Sequence, residues 1–159
     1  MDEQAVQNAR RHELDVRLGT IDNIPFPSGS SAVVRMWHDL EHLRNPQAAL
    51  AAVRRLLRPG GEVIRGVPKT SCVSRWCFGE HWCGLHHFTK RTIRHLLKEA
   101  GFNVLAVRCH SVGTSYYSFA TRYPRLTHPL IRGVFVLADG PIDLLGLGDS
   151  LDVRAVFNA

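Results

Sequence analysis

Lysine is nearly missing from this chain. Of its 20 basic side chains only Lys69, Lys90 and Lys98 are lysine, and the arginines that make up the rest are scattered. The net charge of +6 admits an anionic partner. A nucleic-acid binder would show a basic stripe with interleaved aromatics, and none is visible, so nucleic acid is not an expected partner. Long apolar runs are missing too. The most apolar region, Leu130 to Leu147, is cut by Arg132, Asp139, Pro141 and Asp143. A membrane span needs about 20 apolar residues in a row, so this region reads as a buried or interfacial helix pair. The amino terminus, Met1-Asp2-Glu3-Gln4, is polar and acidic and does not read as a secretory leader. Four cysteines in 159 residues are too few for a disulfide scaffold, and a reducing cytoplasm is the default. There is no internal repeat, low-complexity tract or linker. Residues 1–159 read as a single domain, long enough for a core of its own.

What is present alternates between strand and helix. Ala5 to His12 reads as the tail of a helix. Leu14, Val16 and Leu18 alternate with Asp15 and Arg17, which predicts a short strand. Ile24-Pro25-Phe26-Pro27-Ser28-Gly29-Ser30 is a turn-rich loop, and Ala32 to Trp37 is the next strand. Asn45 is a good N-cap with Pro46 at the first helical position. Leu50, Val53, Leu56 and Leu57 then form one apolar face, and Arg58-Pro59-Gly60-Gly61 stops the helix. Glu62 to Val67 predicts a strand, and Pro68 to Leu85 is irregular. Thr89 caps a second helix with Ile93, Leu96, Leu97 and Ala100 on its apolar face, and Gly101-Phe102 ends it. Strands follow at Val104 to Arg108 and Leu151 to Phe157. Residues at about 111–148 form an insertion before that last strand. Helices alternating with apolar strands imply a largely parallel sheet.

In open α/β sheets the ligand sits beyond the carboxyl ends of the strands. That rule singles out Trp37-His38 and the acidic, histidine-bearing turn through His42. His42 has the pKa range of a general base, although a histidine in a first turn also serves plain loop geometry. Trp37 and His38 read equally well as a core tryptophan beside a satisfied histidine. The run Cys72-x4-Cys77-x3-His81-x-Cys83-x2-His86-His87 contains the donor types that zinc takes four at a time. It lacks a C-x2-C pair, and the interleaved Trp76, Phe78, Trp82 and Phe88 speak for packing, so no metal is expected. A nucleophilic cysteine needs a low-pKa thiolate beside a base. Cys83 near His86 meets that requirement poorly.

Several short pieces are familiar in their order and spacing. They are Leu18-Gly19-Thr20, Ile24-Pro25-Phe26-Pro27, Met36-Trp37-His38-Asp39-Leu40-Glu41-His42, Asn45-Pro46, Leu57-Arg58-Pro59-Gly60-Gly61, Phe78-Gly79 with His81-Trp82, Leu85-His86-His87-Phe88-Thr89, Leu97-Lys98-Glu99-Ala100-Gly101-Phe102 and Gly148-Asp149-Ser150-Leu151. Together they cover nearly the whole chain, which resembles the class I S-adenosylmethionine-dependent methyltransferases of the type-11, UbiE-like group. The resemblance implies a Rossmann-like three-layer α/β sandwich with a mostly parallel sheet and an antiparallel last strand. The strands at Leu14, Ala32, Glu62, Val104 and Leu151 would be its third to seventh. It also implies S-adenosylmethionine as cofactor and a small-molecule methyl acceptor. Thr20, Ile21 and Asp22 would lie by the adenine, and Trp37 and His38 by the sulfonium. His81, Trp82 and His87 would line the acceptor, with His42 and His86 as the candidate catalytic groups.

The chain departs from that family at its front. The glycine-rich turn that follows the family's first strand, and the acid that ends its second, have no counterpart here. The expectation is an N-terminally truncated domain with weak or absent cofactor binding. The Ala32 strand would then either recruit the Leu14 strand or leave an open edge that invites self-association. Two other readings stay open, a non-catalytic remnant that binds a partner and a small zinc-binding module.

Overall fold

The structure, a computed structural model, describes residues 3–23, 26–78, 84–111 and 114–158. Helix α1 (Glu3–Arg11) comes first and buries none of its residues. The Leu14 to Leu18 segment is not a strand. It is extended but pairs with no ladder, with Leu14 and Leu18 exposed. Alternation alone does not make a strand, because the backbone groups still need a partner. Its backbone bonds instead run back to α1, from the Leu14 amide to the Ala9 carbonyl at 3.3 Å and from Arg10 Nε to the Val16 carbonyl at 3.1 Å.

The β–α–β unit at the centre is as expected. Strand β1 (Ser31–Trp37) leads through a short 3-10 turn (Leu40–His42) to helix α2 (Pro46–Leu56), and strand β2 (Leu57–Pro68) returns parallel to β1. The Asn45 side chain accepts a bond from the Ala48 amide at 3.0 Å, which satisfies an amide that the first turn leaves free. The β1–β2 register shifts between Ser31 and Val33, across from Arg58-Pro59-Gly60-Gly61. The stretch expected to be irregular holds the short helix α3 (Val73–Phe78). Helix α4 (Lys90–Glu99) opens with a reciprocal capping box between Thr89 and Thr92. Strand β3 (Phe102–His110), helices α5 (Thr114–Arg122) and α6 (Pro129–Leu144) and strand β4 (Ser150–Phe157) complete the chain. The Leu130 to Leu147 region is therefore one long helix rather than a pair. None of its residues is buried.

The sheet order is β1-β2-β4-β3. β4 runs antiparallel to both of its neighbours, so β1, β2 and β3 share one direction. This is the mostly parallel arrangement with an antiparallel last strand that the resemblance implies.

Paired residues in a ladder point to the same face of a sheet. One face carries Met36, Val63, Val67, Val153 and Ala155, and Leu50 and Val53 of α2 with Ile93 and Leu97 of α4 pack on it as a single core. Each such side chain contributes roughly 1.5–3 kcal/mol when fully buried. The other face carries Val33, Arg35, Trp37, Ile64, Ala106, Arg108 and Arg154. Val33, Arg35, Trp37, Arg108 and Arg154 are exposed there. β1 is an edge strand among the described residues, so Trp37 ends a parallel strand but not an inner one.

Candidate functional site

The carboxyl end of β1 brings together more of the predicted residues than any other place. Trp37 is the last residue of the strand and 41% exposed. Its indole lies flat on the sheet over Gly66. A Cβ built on Gly66 would come within 2.5 Å of the ring, so only glycine allows this placement. The Arg35 guanidinium sits 4.8 Å from the indole centre, and the His38 and His110 rings lie 5.4 and 6.4 Å away. The Trp37 amide donates to Asp39 Oδ2 at 2.8 Å and the His38 amide to the Gly66 carbonyl at 2.9 Å. His38 adopts a φ of +55, left-handed and uncommon for a side chain with a Cβ. Strained backbone of this kind clusters at functional sites.

Behind this tip lies a buried carboxylate that the sequence reading passed over. Glu41 is almost fully buried, and the rings of two of the predicted histidines approach its carboxylate while the backbone of a third bonds its carbonyl. His38 Nδ1 is 3.3 Å and His42 Nε2 3.9 Å from Glu41 Oε1, and the His86 amide donates to the Glu41 carbonyl at 3.0 Å. Gly84 packs directly on the Glu41 side chain. Arg65 of β2 is wholly buried on the core face, where one guanidinium nitrogen donates to Met36 Sδ at 3.1 Å. Burial pulls the Arg65 guanidinium down to about 10, and the negative charges of Glu41 and Asp39 oppose that shift. Arg65 was visible in the sequence. It stands between Val63 and Val67 at period two, so a strand that buries them buries it.

The remaining predicted residues divide. Thr20 and Ile21, at the 3-10 turn Ile21–Asn23, line a cavity of about 560 Å³ with Phe26, Val34, Met36 and Leu43 along the open edge of β1. Asp22 belongs to the same turn. Trp37 and His38 border the far side of the sheet and the strand tip rather than this cavity. His42 is exposed and His86 half-buried beside Glu41, whereas His87 is exposed with no bond to this cluster. His81 and Trp82, like Cys83, lie outside the described residues. A larger cleft of about 730 Å³ runs along the outer side of α4 past Gln47, His95 and Lys98. It contains no strand-end residue, so size alone points away from the chemistry.

Among the described residues no group of three or more His, Cys, Asp or Glu side chains is placed to hold a metal ion. For a nucleoside-bearing cofactor the fit is partial. The cavity has an apolar wall and the Asp39 carboxylate. Among the described residues the glycines of positive φ are Gly29, Gly60, Gly101 and Gly146, and none lies at the carboxyl end of β1. The strand-tip amides of Trp37 and His38 are already bonded within the protein. The edge of β1 thus offers an apolar wall and a carboxylate, while the amides at its tip are engaged within the protein.

Comparison with known proteins gives this arrangement its family. A family model described as a methyltransferase domain matches residues 2–107. An uncharacterised 37.1 kDa protein in a transposon of Streptomyces fradiae is 38% identical over 71 residues, 42% of this chain and 21% of that protein. An uncharacterised methyltransferase of Schizosaccharomyces pombe is 34% identical over 61 residues, 38% of this chain and 22% of its own length. The matched segments thus span about a fifth of each relative. A SAM-dependent methyltransferase of Thermotoga maritima, described as a possible histamine N-methyltransferase, superposes with a TM-score of 0.67 over 97% of this chain and 69% of its own, at 18% identity. That identity speaks for the fold alone. The strand order and the matched family model agree, and the chain belongs to the methyltransferase domain family.

Proposed function

We propose that this chain is the part of a type-11, UbiE-like methyltransferase that carries the fourth to seventh strands, acting on a small-molecule acceptor. In that reading Thr20, Ile21, Asp22, Trp37 and His38 belong to the donor side. His81, Trp82 and His87 belong to the acceptor side, with His42 and His86 as candidate proton acceptors. S-adenosylmethionine supplies an activated methyl group, and the protein's share of such a reaction is to orient the reactants and exclude water. The observation that carries the reading is the tip of β1. Trp37 laid over Gly66, the strained His38 and the buried Glu41 beside His38 and His42 make a built strand end, not a loose one. Because the backbone cradle is missing from the described residues, the chain alone is proposed to bind the cofactor weakly or not at all. Isothermal titration with S-adenosylmethionine tests this, and a micromolar dissociation constant would overturn it.

A second reading rests on the unpaired outer edge of β1, next to exposed Val33 and Trp37. Here the chain is a non-catalytic member of the family that pairs through that edge, with a second copy as the simplest partner. Size-exclusion chromatography separates the two, since a monomer at all concentrations contradicts self-association.

A further inference from the structure

Helix α6 presents two apolar stripes where a surface helix needs one. Ile131, Phe135 and Ile142 are half-buried, and the Phe135 ring packs 5.2 and 5.8 Å from Phe119 and Tyr116 of α5. Leu130, Val134, Leu137, Pro141 and Leu144 repeat at three- and four-residue spacing and so form a second stripe on the same helix. That stripe is bare, with Leu130 75%, Leu137 79% and Leu144 90% exposed. The polar residues Arg132, Asp139 and Asp143 fall together on another side. The stripe runs on past the helix end to Leu145, which shares a shallow cleft with the exposed Trp76, Lys90 and Arg91. The Lys90 ammonium sits against Gly146, 3.0 Å from where a Cβ would be. A continuous apolar surface of this kind marks an interaction site.

The acids of α6, Asp139 and Asp143, lie with Arg132 on the side away from the stripe. Before the helix, from Asn103 to His128, the chain has no Asp or Glu, and it carries Arg122 at the end of α5 and Arg125 just after it. Lys90 and Arg91 add two more cations at the other end. α6 is 16 residues long, short of the 20 or so that a span requires. Among the described residues no helix is long and apolar enough to cross a membrane. A leucine-rich stripe with an aromatic at its end, rimmed by cations and too short to span, fits the plane of a bilayer interface whose headgroups are anionic. We propose that the α5–α6 arm is a docking surface for an anionic lipid bilayer, on which α6 lies flat with Leu130, Leu137 and Leu144 facing the acyl chains. This surface is separate from the tip of β1 and does not depend on the chain's activity.

Vesicle flotation of the full chain tests it. Vesicles of phosphatidylcholine with a quarter phosphatidylglycerol should capture the protein about tenfold better than phosphatidylcholine alone, and added salt should reduce capture. The double variant Leu137→Glu/Leu144→Glu changes only exposed positions, so its far-ultraviolet circular dichroism should be unchanged while capture falls about tenfold or more. Lys90→Glu/Arg91→Glu should lower capture by the anionic vesicles only. No capture by either vesicle would overturn the proposal. So would undiminished capture of the leucine double variant, or a dimer that this variant dissociates while neither form binds vesicles. That last result would assign the stripe to a second copy.

Discussion

The two faces of the sheet are built from the same strands and have opposite chemistry. On the packed face Val63, Val67, Val153 and Ala155 lie under α2 and α4, and the one charge admitted, Arg65, is wholly buried and answered by Glu41 and Asp39. On the open face, charges are met in solvent. Glu62 receives two bonds of 2.6 Å from Arg154, His110 lies 3.4 Å from Asp152, and Arg35 covers Trp37. The contrast teaches that burial, not the number of contacts, decides what an ion pair does. The packed face holds the domain together, and the open face with its edge strand leaves surface for ligands and partners.

The comparison is tested most severely at the buried charges. Glu41→Ala removes a buried negative charge that favours the Arg65 guanidinium, and should lower stability in denaturant unfolding. Arg65→Met alone should also destabilise, because it leaves Glu41 buried. The double replacement Glu41→Ala/Arg65→Met should cost less than the sum of the two single changes. Additivity would mean that the two groups do not act as a pair. The direction with pH follows from the lowered Arg65 value. The folded chain holds that proton less tightly than the unfolded chain does. Its charge therefore costs stability below about 10, and the cost is relieved as pH rises above that value.

Next in size is the apolar layer. Ile93→Ala on α4 should cost roughly 2–4 kcal/mol through lost burial and the cavity left behind. An equal loss from Val33→Ala on the open face would erase the distinction between the faces. Smaller again is Gly66→Ala, whose Cβ cannot coexist with the indole of Trp37. A shift in tryptophan fluorescence with a stability loss of about 1–3 kcal/mol is expected. An unchanged spectrum would mean that Trp37 does not lie over Gly66. The smallest effect belongs to Glu62→Gln. Arg154 holds the Glu62 carboxyl below its usual range, so its contribution is present near neutrality and fades as pH falls through the acidic range. In open solvent that change should be barely detectable by thermal melting.

These residues also show what the sequence could reveal. The β1–α2–β2 unit and the α4 cap were legible because Asn45-Pro46 and Thr89 are chemical signals that act within one turn. The antiparallel last strand came from the family resemblance, not from local pattern. Leu14 to Leu18 misled because its alternation says nothing of whether a partner strand is within reach. The α6 helix misled for a related reason, since an apolar composition suggests burial without showing what is available to cover it. At the site, Trp37 and His38 followed from the strand-end rule. Glu41 was hidden as the middle of a Leu-Glu-His run, because only the fold folds the turn back under Gly84 and His86.

The central proposal is that the tip of β1 is one wall of a cofactor site, and an amide nuclear magnetic resonance titration with S-adenosylmethionine tests it most directly. The account predicts no saturation at micromolar ligand, with any shifts at millimolar ligand confined to Thr20, Ile21, Trp37, His38 and their neighbours. Tight micromolar binding, or shifts centred on the α4 cleft around Gln47 and His95, would contradict it.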